Sequence, residues 1–216
     1  MSYLNHPYYT HQPFFTEVLK NTNGDVLECG CGEGSTAMIR SQLKGTSRKL
    51  VSIESDKAWL DKYIHLQNAE HDFYHVPADN NNTMETGMAW VRFVESTLAD
   101  RQFDVVFIDS SPWLSRKCLF DYFKTRAKVV VIHDFDYFPN NGVIGKTTSH
   151  ESYQNKEKIT CDLTGEVENY RLYYPPYKYF AGPTGPPTLV CSSVLSSDEF
   201  TALMDAIDAA VPKYYP

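Results

Sequence analysis

The chain reads as an α/β protein built on a doubly wound, mostly parallel sheet. Short, dense apolar runs recur between Asp25 and Ile132, each too short for a helix. Helical patterns separate them, so strand and helix alternate along the chain. The runs also share an ending: Glu28, Glu54, Asp79, Asp109, His133 and Asp134 all fall at the carboxyl ends of predicted strands. Open α/β sheets hold their ligands beyond those ends.

The first strand, Asp25-Val26-Leu27-Glu28-Cys29, enters the turn Gly30-Cys31-Gly32-Glu33-Gly34-Ser35, and a helix begins near Ser35. Glycines admit positive φ and let a ligand approach the main chain, and the helix start aims unpaired N–H groups into the turn. The spacing is E-x-G-x-G-x-G and lacks the dinucleotide fingerprint G-x-G-x-x-G. The second strand, 49–53, is followed directly by Glu54, twenty positions after Gly34. An acid at that place commonly grips a ribose diol, accepting from both hydroxyls. Ser55 is then expected to cap a helix reaching about Gln67, with Trp59, Leu60, Tyr63 and Ile64 on its apolar face.

The third strand, 73–76, leads through Pro77-Ala78-Asp79 into a turn-forming Asn run. Met88, Val91, Val94 and Leu98 share the face of the next helix. The fourth strand, 103–109, ends on Asp109, and Leu114, Cys118 and 120–123 mark the helix after it. The fifth, 128–132, ends at His133-Asp134. Residues 139–169 are polar and weakly patterned, as for a long loop with a short helix. A strand over 170–174, a proline-rich loop over 175–187 and a last strand over 188–194 follow. Ser197 caps a final helix whose Phe200, Leu203, Met204, Ile207 and Val211 form one apolar stripe, either core or a homodimer contact.

At 216 residues the chain suits one domain with a full core. No apolar run is long enough to cross a membrane, and the N-terminus shows no signal-peptide pattern. Five scattered cysteines give no disulfide framework, which points to a reducing, cytoplasmic setting. Cys29 and Cys31 sit inside the glycine turn without a second pair, so they fill the turn rather than bind metal. Net charge is -7 and the Lys and Arg residues are dispersed, which weighs against a nucleic-acid substrate. Many of the fifteen tyrosines crowd the two ends of the chain, where they either pack or line a sugar or aromatic site.

Glu28-x-Gly30-x-Gly32-x-Gly34 resembles the first motif of class I S-adenosylmethionine (SAM)-dependent methyltransferases. The resemblance implies a Rossmann-like, seven-stranded sheet in one domain over 1–216: a helical extension over 1–22, a SAM-binding core over 23–135, and an acceptor-side loop, antiparallel edge hairpin and C-terminal helix over 136–216. It implies a turn of Gly30, Cys31, Gly32, Gly34 and Ser35 around the methionine end of SAM, with Glu28 on its amino group. Glu54 and Ser55 then serve the ribose, and Asp79 the adenine amino group. The carry-over by motif covers roughly residues 20–135.

Asp109, His133 and Asp134 gather two carboxylates and an imidazole around one crevice, a donor set for a hard metal. The arrangement is similar to metal-dependent small-molecule and sugar O-methyltransferases, and implies a divalent ion such as Mg²⁺ or Mn²⁺. His133 departs from that pattern, since an acid leads the pair there. It can ligate, act as general base with a pKa naturally near neutrality, or tie down the following loop. Asp109, at the cofactor's edge, joins the cofactor-binding set as well as the catalytic one. Arg116 and Lys117 either steer an anionic substrate or form a solvated helix face. Asp109-Ser110-Ser111-Pro112-Trp113 only partly matches the Asp/Asn-Pro-Pro-aromatic motif of amino-group methyltransferases. The expected activity is O-methylation of a small molecule such as a sugar or polyhydroxylated compound. N-methylation, a non-catalytic SAM- or nucleoside-binding protein, and an aminopropyl transferase on the same scaffold are the alternatives.

Overall fold

The computed structural model describes residues 9–135, 163, 165–173 and 187–214. In chain order the elements are α1 (Gln12–Lys20), β1 (Val26–Cys29), α2 (Thr36–Leu43), β2 (Leu50–Glu54), α3 (Lys57–Leu60), β3 (His71–His75), α4 (Met84–Thr97), β4 (Val105–Ile108), α5 (Trp113–Phe123), β5 (Val129–Ile132), β6 (Asn169–Tyr173), β7 (Thr188–Ser192) and α6 (Ser197–Ala210). The expected loop over 139–169 and the proline-rich segment over 175–187 lie almost wholly outside the described residues.

One seven-stranded sheet runs in the order β3-β2-β1-β4-β5-β7-β6. β1 to β5 are parallel, while β7 runs antiparallel to both β5 and β6. The predicted doubly wound sheet and edge hairpin are therefore present. Strand order reverses between β1 and β4, so the crevice beyond Cys29 and Ile108 is the switch point where such sheets take ligands.

Alternation along the strands builds two cores. Leu27, Val51, Val106, Ile108, Val130 and Ile132 face α4 and α5, with Trp90 and Phe120 fully buried. Val26, Leu50, Val105, Phe107, Val129 and Val131 face the other way, under α1, α2 and α6. Because both sides are covered, β4 and β5 read as unbroken apolar runs. Phe200, Leu203, Met204 and Ile207 of α6 are all buried in the second core, so this stripe packs within the chain. Phe14 and Phe15 are buried there too, and Tyr173 stacks on Phe14 at 4.6 Å. These three rings pack in the core, while Tyr8, Tyr174, Tyr177, Tyr179, Phe180 and Tyr215 lie outside the described residues.

Three helix expectations need correction. The helix after Glu54 is only Lys57–Leu60, capped by Asp56, whose Oδ1 accepts from the Trp59 amide at 3.0 Å; a 3₁₀ turn, Ile64–Leu66, follows. Ser55 therefore precedes the cap. Trp59 breaks the long helix by reaching back to donate from Nε1 to the Cys31 carbonyl at 2.6 Å, which pulls Leu60 and Tyr63 over the glycine turn and leaves Ile64 40 % exposed. On α4 the buried face is Thr86, Gly87, Trp90, Val91 and Val94, and Met88 lies outward. Ser196, one residue before the expected Ser197, caps α6 in a capping box with Glu199.

α4 crosses α5 at Gly87. A Cβ there would sit 2.6 Å from Cys118 Sγ and 2.9 Å from the Leu114 carbonyl oxygen. The backbone oxygen cannot turn aside, so Gly87→Ala forces the helices apart and should cost about 1–3 kcal/mol, as overpacking does. Urea unfolding measures this, and an unchanged midpoint would mean that the two helices slide freely.

Candidate active site at the strand ends

The glycine turn is fastened from below and from the side. Gly30 takes φ 97°, and a Cβ on it would lie 2.5 Å from the Asp109 carbonyl oxygen. The position thus needs glycine for its conformation and for the approach of β4. Gly32 is less constrained, its Cβ meeting only Ser35 Oγ at 3.4 Å. The turn satisfies most of its own amides. Gly30 donates to Ile53, Cys31 to Glu54 Oε2 at 3.1 Å and Gly32 to Thr36 Oγ1 at 3.0 Å, while Ser35 and Thr36 donate to the Gly32 carbonyl. Among the described residues the amides of Glu33 and Gly34 are left over, while Ser35 Oγ is buried and turned to the Glu28 carboxylate without a well-formed hydrogen bond. The loop thus offers donors at one place rather than along its whole length. Burial pushes the Cys31 thiol far up, which makes it an inert filler under Trp59.

Glu54 ends β2. Its Oε2 takes the Cys31 amide, and its Oε1 takes the Asp56 amide at 2.8 Å. Each oxygen keeps a lone pair for a further donor. Burial raises its pKa against those backbone hydrogen bonds. Ser55 lies beside it, its Oγ 3.4 Å from the Ser111 carbonyl.

Glu28 is placed differently from the expectation that it touches a ligand. It is fully buried beneath the turn, and both oxygens are claimed by hydroxyls. Thr36 Oγ1 lies at 3.0 and 3.1 Å, and Ser52 Oγ, its register partner on β2, at 2.5 Å. Ser52 Oγ also meets His71 Nε2 at 2.8 Å, so a hydrogen-bonded line crosses β1, β2 and β3. Burial raises Glu28 to about 7, hydroxyl hydrogen bonds opposing it, and burial lowers His71 to about 4. Asp79 is exposed and engaged in its own turn. It accepts from the Asn81 amide and from Thr86 Oγ1, and these bonds hold its pKa low.

The structure does bring Asp109, His133 and Asp134 together, one donor atom of each lying within 4.8 Å of the others. His133 is 1 % exposed, with Nδ1 3.2 Å from Asp109 Oδ2. Its Nε2 is 2.7 Å from Thr10 Oγ1 and 3.3 Å from Asp134 Oδ1. Asp134 takes φ 47°, a left-handed conformation that Asp tolerates better than most residues. Arg116 closes the cluster. Its guanidinium donates to Asp109 Oδ1 at 2.8 Å, to the Ser110 carbonyl at 2.8 Å and to the His133 carbonyl at 2.5 Å, and it lies 3.8 Å from Asp134. Burial alone would raise Asp109, but His133 and Arg116 hold it well below the usual carboxylate range. Burial would lower His133, yet Asp134 and Asp109 outweigh it and raise its pKa.

Two carboxylates therefore already face a guanidinium and an imidazole. A hard cation needs free oxygens and a free imidazole lone pair. Here Arg116 takes the cation's place, and both ring nitrogens of His133 are engaged. The residues do not fit a resident metal as arranged.

Sequence reading missed Thr10, Gln12, Thr36 and Ser52, and it left Arg116 between steering an anionic substrate and a solvated helix face, whereas its side chain is 4 % exposed. The segment before α1 lies on the site: Gln12 Nε2 donates to the Gly34 carbonyl at 2.5 Å.

No family profile matches the chain, and no curated protein matches it in sequence. Solved structures do match its fold. Human methyltransferase-like protein 13 in complex with SAH shares 13 % identity over 94 % of this chain and 89 % of that one, with a TM-score of 0.50. The O-methyltransferase from Bacillus cereus, also in complex with SAH, shares 12 % over 83 % and 79 %, with a TM-score of 0.52. Spermidine synthase from Thermotoga maritima shares 16 % over 97 % and 71 %, with a TM-score of 0.52. At these identities the likeness establishes the methyltransferase-type α/β fold.

Because Glu28 goes from an ordinary 4.5 to about 7 on folding, the native state binds its proton more tightly. That stabilisation is complete below pH 4.5 and fades as pH rises through 7. Glu28→Gln removes the dependence. Relative to the unsubstituted protein, the variant should gain about 3 kcal/mol between pH 4.5 and pH 8. Urea titrations at both pH values test it, and an equal difference at the two would show that Glu28 is ionised throughout.

Proposed function

We propose that the protein is a SAM-dependent methyltransferase acting on a hydroxyl oxygen of a small molecule, a sugar or polyhydroxylated compound. The observation that carries this reading is the pairing of two sites at the switch point. One is a turn whose Glu33 and Gly34 amides are left over among the described residues, beside Glu54. The other is a buried acid–base cluster across the crevice at Asp109 and His133. The fold neighbours from human and Bacillus cereus hold SAH, which supports the cofactor. Net charge of -7 supports a small acceptor over a nucleic acid.

SAM, when bound, supplies a methyl group on a sulfonium, ready for in-line displacement. The Glu33 and Gly34 amides would hold its methionine end, and Glu54 its ribose hydroxyls. With these donors set before binding, little ordering is left for the cofactor to induce. Asp109 fixes the imidazole of His133 through Nδ1, which leaves Nε2 as the atom that takes a proton from an acceptor hydroxyl. Arg116 keeps Asp109 ionised and aligned. No step needs a metal, because that charge is supplied from within.

An aminopropyl transferase is the second reading, favoured by the coverage of this chain by the Thermotoga maritima spermidine synthase. A polyamine needs carboxylates with charge to spare. Asp109 has none, being held by Arg116 and His133.

Calorimetric titration with S-adenosylhomocysteine should give micromolar binding at one site per chain, weakened at least tenfold in Glu54→Ala. A folded protein that takes up none would end the methyltransferase reading. Methyl transfer from labelled SAM to a panel of sugars and polyols should proceed unchanged in EDTA. Loss of turnover on chelation, restored by Mg²⁺ or Mn²⁺, would show that Arg116 yields its place to a metal.

A further inference from the structure

We infer that the space filled by the Thr10 side chain is the acceptor's subsite, and that residues 10–12 leave it when an acceptor binds. This rests on the methyltransferase reading for the word acceptor, but not for the geometry. A group that takes a proton must lie within about 2.6–3.2 Å of the atom that gives it up. At His133 Nε2 that position is already filled, by Thr10 Oγ1 at 2.7 Å, and both residues are 1 % exposed. Nothing from solvent reaches Nε2 while Thr10 stays. The chemistry of the occupant identifies the class of ligand. Threonine presents a secondary alcohol, a CH–OH with an apolar neighbour, the same unit as a ring carbon of a sugar.

The turn that carries Thr10 is held by apolar packing at one end and by a few polar contacts at the other. From Phe14 onward, α1 is anchored in the core by Phe14, Phe15, Val18 and Leu19. Before it, the polar tie is Gln12 to the Gly34 carbonyl, which links the turn to the proposed cofactor site. Between them His11 is 1 % exposed, and neither ring nitrogen makes a well-formed hydrogen bond, the Gly34 backbone being a loose polar neighbour. It is wedged 4.8 Å from Phe107 and 4.5 Å from His133, centroid to centroid. A buried polar atom without a partner is costly. Lifting residues 10–12 would give both nitrogens to water, so the packed arrangement carries a penalty that opening removes. The hinge this implies is at Gln12-Pro13, where the helix begins.

Diethyl pyrocarbonate, read by peptide mass spectrometry, tests the geometry without cofactor or acceptor. In the unsubstituted protein His133 should react at least tenfold more slowly than exposed His65. Thr10→Ala should speed His133 at least tenfold, and Thr10→Ser, which keeps the hydroxyl, should leave it protected. Equal protection in Thr10→Ala, or equal reactivity in Thr10→Ser, overturns the assignment, with thermal melts confirming that each variant is folded. Thr10→Gly deletes the CH(OH)CH3 group, and 2-propanol restores it as a separate molecule. Methyl transfer from labelled SAM to 2-propanol should rise at least tenfold in this variant. If the variant binds S-adenosylhomocysteine and His133 reacts but 2-propanol is not methylated, the subsite is wrong. If His133 is uncovered as expected but S-adenosylhomocysteine does not bind, the acceptor assignment falls with the methyltransferase reading.

Discussion

Arg116 binds the carboxyl ends of β4 and β5 into one surface. It reaches from α5 to the Ser110 carbonyl just past β4, to the His133 carbonyl just past β5, and to the carboxylate of Asp109. Parallel neighbours are joined by ladder hydrogen bonds along their length, but beyond Ile108 and Ile132 the ladder stops. From there the two strand ends are tied by this side chain together with the His133 amide on the Ile108 carbonyl and the His133–Asp109 contact. A buried guanidinium is costly unless its donors are met, and here carbonyls and a carboxylate meet them in the fork geometry that Arg provides and Lys does not. Removing it would leave Asp109 charged in a poorly solvated place and free the loop that carries His133. The sharp backbone turn at Asp134 depends on the same anchor.

That dependence explains why the cluster looks like a metal site in sequence and yet has its charge balanced by Arg116 in space. Two acids and a histidine at adjacent strand ends are the donor set of a divalent ion. The spacing of Asp109, His133 and Asp134 was legible because parallel strands bring their ends together. The cation that balances them was not, because Arg116 sits on α5 among polar and aromatic residues with no periodicity to show that it points inward. Thr10 was harder still, since no local pattern links a residue ahead of the first helix with one 123 positions later.

Elsewhere the sequence was a better guide to strands than to what their side chains touch. Strand positions emerged to within two residues because burial on both faces leaves unmistakable apolar runs. Glu28 shows the limit. Its place before three glycines suggests a ligand contact, yet alternation puts it on the face of Val26, under α2 and beside Ser52. The helix after Glu54 failed for another reason. Its propensity was overridden by one tertiary bond, from the Trp59 indole to the glycine turn, which no helical pattern encodes.

The line from Glu28 through Ser52 to His71 has a consequence that lies in direction rather than distance. Ser52 has one proton to give and two neighbours that can take it. While Glu28 is ionised, the hydroxyl points to it, and His71 must carry its own proton on Nε2 and leave Nδ1 bare. That matches the absence of a hydrogen-bond partner at Nδ1. Once Glu28 takes a proton, the hydroxyl is released to turn toward β3, and His71 can exchange tautomer. The charge on one acid beneath the glycine turn thereby sets which nitrogen is protonated two strands away, with no atom moving farther than a hydroxyl rotates.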